Sequence, residues 1–112
     1  MVVGRHIIAE LYGVAPDLIS YEDQVKPILE EACERVGFTK VGSNYKQFTP
    51  YGVTGVILIE ESHISIHTWP EYEQVNLDVF TCGDLSKADD AFKFFLEQFS
   101  PKSYRHYALD RG

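Results

Sequence analysis

The sequence is poor in the features that mark membrane, nucleic-acid-binding or metal proteins. Its longest apolar run, Val56 to Ile59 with Gly55 before it, falls far short of the roughly 20 residues that a membrane-spanning helix needs. Basic residues are scarce: 10 Lys plus Arg stand against 17 Asp plus Glu, a formal charge of -7. Such a surface repels polyphosphate unless a local basic patch overrides it, and no patch is present. Neither nucleic acid nor membrane is therefore expected as a partner. Only two cysteines occur, Cys33 and Cys82. They are far apart and form no CxxC pair, so they read as free thiols. Residues 1–8 hold Arg5 and His6 among short apolar pairs, with no h-region, which makes a cytoplasmic location the expectation. Repeats, low-complexity tracts and linkers are also missing. What remains is 112 residues, 45% hydrophobic and 24% charged, enough for one globular domain over residues 1–112.

Periodicity supplies the elements. Arg5 to Tyr12 reads as a strand and Gly13 to Pro16 as a turn. Ser20 with Asp23 has capping-box spacing ahead of Val25, Ile28, Leu29, Ala32 and Val36, a helical pattern that Gly37 ends. Pro27 inside it predicts a kink or a later start. Phe38 to Phe48, with a bulge or bend at Gly42 to Asn44, Val53 to Glu60, His63 to Trp69 and Val75 to Thr81 read as strands, the second of them as a buried central one. Ser86 with Asp89 repeats the capping-box spacing before Ala88, Ala91, Phe92, Phe95, Leu96 and Phe99. Ser103 to Leu109 closes the chain. The order β-α-β-β-β-β-α-β predicts an α+β fold: an antiparallel sheet with both helices on one face. The bare sheet face needs cover, and in so short a chain a second copy is the expected cover, giving a homodimer by sheet-to-sheet packing.

Chemical potential concentrates in residues 61–83, which hold Glu61, Ser62, His63, Ser65, His67, Glu71, Asp78 and Cys82. Each has an ordinary structural explanation, a solvated strand face for the histidines and a packed thiol for Cys82. Their density exceeds what a solvated edge requires. A zinc site fails on spacing, because a histidine pair four apart binds metal from a helix and Ile64, Ile66 and Thr68 make this segment a strand. A serine hydrolase lacks the GxSxG elbow. Ser62 and His67 differ by five positions, so a regular strand sends them to opposite faces. If they cooperate, the chain must bend or break near Ser62, a condition met if the Glu61–Ser62 bond is itself the site of reaction.

Four blocks carry a family resemblance: GRH at 4–6, FTPYGVTGV at 48–56, ESHISIHTWPE at 61–71 and FTCG at 80–83. Together they resemble the self-cleaving prokaryotic S-adenosylmethionine decarboxylases, the short bacterial and archaeal class. The resemblance implies a proenzyme that cuts itself between Glu61 and Ser62, releasing residues 1–61 and turning Ser62 into the pyruvoyl N-terminus of residues 62–112. It implies His67 as the processing histidine that removes the Cα proton, and Thr54 in the place of a serine that assists the acyl shift. It further implies Cys82 as proton donor to the substrate α-carbon, Phe48 and His67 on either side of adenine, and Glu71 at the ribose hydroxyls. No metal is implied. Asn76 departs from the small apolar residue usual in relatives.

A covalent carbonyl cofactor suits the chemistry independently, since decarboxylating an α-amino acid leaves a carbanion that needs an electron sink. The expected activity is decarboxylation of S-adenosylmethionine to the aminopropyl donor for spermidine and other polyamines. The alternatives are a pyruvoyl-dependent arginine or ornithine decarboxylase, and an unprocessed regulatory paralogue without activity.

Overall fold

A computed structural model describes residues 1–112. Strands β1 (Gly4–Tyr12), β2 (Lys40–Gln47), β3 (Val53–Ile59), β4 (Ser62–Trp69), β5 (Gln74–Cys82) and β6 (Ser103–Arg111) alternate with helices α1 (Glu22–Val36) and α2 (Ser86–Phe99) in the expected order. All six strands join one antiparallel sheet, ordered β2-β3-β4-β5-β1-β6. The strand expected to be central, β3, is second from the edge; β4 and β5 hold the middle. The bulge expected at Gly42 to Asn44 lies just before it, as a register shift between Lys40 and Gly42, while Gly42 to Asn44 pair regularly with β3.

Period-2 alternation sorts the sheet into two faces. Ile7, Ala9 and Leu11 of β1, Ile57 and Ile59 of β3, Ile64 and Ile66 of β4, and Val75, Leu77 and Val79 of β5 are buried. Against them α1 lays Val25, Leu29, Ala32 and Cys33, and α2 lays Ala88, Ala91, Phe92, Phe95 and Phe99. α1 covers β2 and β3 while α2 covers β5 and β1, so both helices lie on one face. The other face is bare, and carries Ile8, Leu58, Tyr107 and Leu109, all at least a third exposed, among charged and polar neighbours. No helix is long and apolar enough to cross a membrane.

The two capping boxes are corrected. α1 starts after Tyr21, whose extended backbone makes it the N-cap, and the Ser20 hydroxyl instead donates to the Pro16 carbonyl at 2.6 Å. The first helical N–H, that of Glu22, is received by Gln47 Oε1 from the end of β2, at 2.6 Å. Pro27 delays nothing: the helix begins five residues before it, where Glu22 and Asp23 complement the positive end of the helix dipole. At α2 the capping group is Asp84, whose Oδ1 accepts the Ser86 N–H at 3.0 Å and the Ser86 hydroxyl at 2.6 Å. These donors hold the Asp84 carboxyl below the usual carboxylate range.

Candidate active site

The residues singled out in the sequence fall into three groups. The first is at the β3–β4 turn. Ser62 opens β4 and Cys82 ends β5, and the Cys82 backbone N–H donates to Ser62 Oγ at 3.0 Å. The serine hydroxyl is thus held by a neutral donor that stabilises negative charge developing on oxygen. Both residues line a cavity of about 170 Å³ with Glu60, Phe38, Asp84 and Lys87. Lys87 donates to the Gly37 carbonyl at 3.4 Å and lies over the Phe38 ring. Glu61, just before Ser62, adopts the left-handed backbone with φ of 61°.

The second group stands at the opposite end of β4. Phe48, Tyr51, Thr54, His67, Trp69 and Glu71 line a cavity of about 260 Å³. Thr54 Oγ1 and His67 Nδ1 lie 3.0 Å apart, a bond that orients the imidazole and leaves Nε2 free for proton transfer. The Thr54–His67 pairing follows from the antiparallel register of β3 on β4. Phe48 is 47% exposed, an aromatic face unclaimed by the core. Its loop is fixed by Gln47, whose Nε2 donates to the carbonyls of Ser20, Phe48 and Gly52. Sequence reading missed Gln47, as it missed Tyr51 and Trp69 as lining residues. The FTPYGVTGV and HTWPE blocks contained all but Gln47 of these signals.

His63, Ser65 and Asp78 belong to neither cavity. They lie on the bare sheet face, where Ser65 Oγ donates to Asp78 Oδ2 at 3.2 Å and His6 Nε2 stands 3.7 Å from Asp78 Oδ1. His6 and His63 meet edge to face, with ring centroids 5.9 Å apart, beside Phe80. Burial chiefly, with His6 next, pushes the His63 imidazole below its ordinary pKa against the opposing pull of Asp78.

The strand does not bend between Ser62 and His67. β4 is continuous from Ser62 to Trp69, and five residues at a rise of about 3.3 Å separate the two side chains by roughly 16 Å. They also point to opposite faces. Ser62 and Cys82 are brought together, as are Phe48, Thr54, His67 and Glu71, but the two groups do not meet within one protomer.

Known proteins match nearly the whole length of the chain. A family model described as S-adenosylmethionine decarboxylase matches residues 5–112. An S-adenosylmethionine decarboxylase proenzyme of Archaeoglobus fulgidus is 67% identical over 112 residues, covering 100% of both chains. One from Hydrogenobaculum sp. is 50% identical over 110 residues, covering 98% of this chain and 82% of that one. Among solved structures, the adenosylmethionine decarboxylase of Aquifex aeolicus superposes with a TM-score of 0.96 at 44% identity, covering 99% of this chain and 92% of the other. A Trypanosoma brucei AdoMetDC monomer, 17% identical, matches with a TM-score of 0.69 over 93% of this chain and 45% of its own, a likeness of fold alone.

Proposed function

The chain belongs to the S-adenosylmethionine decarboxylase family, and from that premise we propose that it is a proenzyme which cuts itself between Glu61 and Ser62 and then decarboxylates S-adenosylmethionine. The observation that carries this reading is the Ser62 hydroxyl, bonded to the Cys82 N–H, at the first position after a left-handed turn residue. Ser62 Oγ adds to the Glu61 carbonyl carbon, the Glu61–Ser62 C–N bond breaks, and the hydroxyl proton passes to the nitrogen, leaving an ester and a free amine. Loss of the Ser62 Cα proton then expels the Glu61 carboxylate, and water hydrolyses the resulting enamine to a ketone with release of ammonia. The products are chains of residues 1–61 and 62–112, the second beginning with a pyruvoyl group. Atoms balance with water as the sole co-reactant.

The residues present fit that group. Ser62 is its precursor, it opens onto a cavity, and Cys82, whose thiol is the donor required at the α-carbon, lines the same cavity. The pyruvoyl group supplies the electron sink for loss of carbon dioxide. In the other cavity Phe48 offers a face for adenine, Glu71 an acceptor for ribose hydroxyls, and His67 a base oriented by Thr54. The similarity to S-adenosylmethionine decarboxylase proenzymes favours S-adenosylmethionine over arginine or ornithine, and the product is then the aminopropyl donor for polyamine synthesis.

Separation of the two groups within a protomer requires a second copy. A base must come within about 3 Å of the proton it removes, and His67 of the same chain is roughly 16 Å along the strand from Ser62. A two-fold dimer that brings the Ser62–Cys82 end of one protomer to the Thr54–His67 end of the other completes two equal sites. The test is an intact-mass spectrum with a carbon dioxide assay. The wild-type protein shows masses for residues 1–61 and for a pyruvoyl-blocked 62–112 and decarboxylates S-adenosylmethionine. Ser62→Ala shows one uncut chain without activity. Full activity in uncut Ser62→Ala rejects the reading.

A further inference from the structure

The β3–β4 connection is a two-residue turn, with Ile59 paired to Ser62 and Glu60–Glu61 between them. Two-residue hairpins normally use turns with positive φ at both central residues or at the first, because those match the strand twist. Here only the second, Glu61, has a positive φ, 61°. Glycine would take that conformation at no steric cost, whereas a side chain brings Cβ against the neighbouring carbonyl. Nothing lets the turn relax. Glu60 N–H is bonded to the Thr39 carbonyl at 3.0 Å, Ser62 Oγ receives the Cys82 N–H, and β4 is paired on both sides.

We propose that the left-handed Glu61 is a built-in strain element that speeds self-cleavage, acting through its backbone conformation and not through its carboxylate. This inference rests on the self-cleaving reading above. Strained backbone persists where the surroundings over-determine it, and it accumulates at reactive sites. The strained residue here supplies the carbonyl that is attacked. When Ser62 Oγ replaces the amide nitrogen, the chain runs through Oγ and Cβ, lengthening the path around the turn and freeing Glu61 from its enforced φ. The strain is therefore present before attack and relieved as the amide breaks, so it lowers the barrier to the acyl shift. The side chain is exposed, and no hydrogen bond or ion pair engages it.

The test follows conversion of freshly translated proenzyme to cut chains by intact mass, for wild type, Glu61→Ala, Glu61→Asn and Glu61→Gly. Alanine keeps the steric cost and removes the carboxylate, asparagine tolerates the left-handed region, and glycine abolishes the cost. Wild type and Glu61→Ala cut at the same rate, Glu61→Asn more slowly, and Glu61→Gly slowest, by about tenfold, equal to about 1.4 kcal/mol of barrier. Glu73→Gly is the control, since Glu73 also has positive φ, 53°, but lies away from the cut; its cutting rate matches wild type. Equal rates for Glu61→Gly and wild type overturn the inference, as does a Glu61→Ala rate as low as that of Glu61→Gly, which would assign the effect to the carboxylate. A wild-type chain that never cuts rejects the self-cleaving reading itself, and the inference with it.

Discussion

Cys33 and Cys82 carry the same thiol and are given different chemistry by their surroundings. Cys33 is 3% exposed in the core of α1, and burial, reinforced by Glu30, pushes its pKa up to about 11. It is a packing residue. Cys82 is partly exposed at the cavity that holds Ser62. Iodoacetamide at neutral pH should therefore label Cys82 and leave Cys33 untouched in the native protein, as peptide mass spectrometry will show. A Cys82→Ala protein should still be cut, because the Cys82 contact to Ser62 comes from the backbone, yet lose roughly 100-fold or more in decarboxylation if the thiol is a general acid. Unchanged turnover in the fully cut variant would return the thiol to packing. His63 carries a pH dependence of known sign. Its folded pKa lies below the ordinary 6.5, mainly through burial and then through His6, so the unfolded chain binds the proton more readily. That contribution to stability is complete above about pH 6.5 and is lost as pH falls through the window beneath it. The thermal midpoint should drop on acidification from pH 7.5 toward 5.5, and His63→Gln should flatten that part of the curve.

At the scale of elements, the α1–β2–β3 stack positions the loop that carries Phe48, and one glycine sets its spacing. A Cβ on Gly55 would stand 2.7 Å from Tyr45 Cδ1 and 3.4 Å from Ile66 Cγ2. Tyr45 cannot simply yield, because its hydroxyl donates to Glu30 of α1 at 2.6 Å. The same carboxylate pairs with Lys40. Burial and the Glu30 contact push the Tyr45 phenol well above its ordinary pKa. Gly55→Ala should therefore overpack the stack and cost about 1–3 kcal/mol in denaturant unfolding. A loss below a few tenths of a kcal/mol would show that the tyrosine ring moves freely. The helix starts teach a related lesson. The Ser-x-x-Asp spacing was visible at Ser20 and at Ser86, but the groups that meet the free N–H donors are Gln47, 25 residues from Glu22, and Asp84. No local window reaches Gln47, whereas Asp84 stands only two residues before Ser86 and was overlooked because the Ser-x-x-Asp pattern looks forward from the serine.

On the scale of the whole molecule, the bare sheet face and the divided site make one argument. Half-exposed Leu58, Tyr107 and Leu109 lie on the same face as the His6–His63–Asp78 cluster, and an apolar face of this kind is usually paired. If each site joins Ser62 and Cys82 of one protomer to Thr54 and His67 of its partner, two dead variants can repair each other. Ser62→Ala and His67→Ala should each be inactive alone. Co-expressed, they should form mixed dimers with one intact site, restoring about a quarter of wild-type activity for random pairing of subunits. Activity that stays at background in verified mixed dimers would mean that each site is built within one chain.

The sequence by itself determined the elements, their order, the antiparallel sheet and the face each strand residue occupies, because those follow from periodicity and turn chemistry over a few neighbouring positions. It also determined the family, through four blocks whose spacing spans the chain. Tertiary structure alone decided how the polar residues of 61–83 divide. Ser62 and Cys82 meet because β4 begins where β5 ends, and Thr54 meets His67 because β3 pairs with β4 in that register. His63, Ser65 and Asp78 line neither cavity and gather instead with His6 in a cluster of their own. The left-handed Glu61 was equally beyond local reading, since nothing about that glutamate in the sequence marks it for positive φ and the pairing of β3 with β4 around the two-residue turn imposes it. Contacts between residues distant in sequence depend on register and packing, which the whole chain sets together.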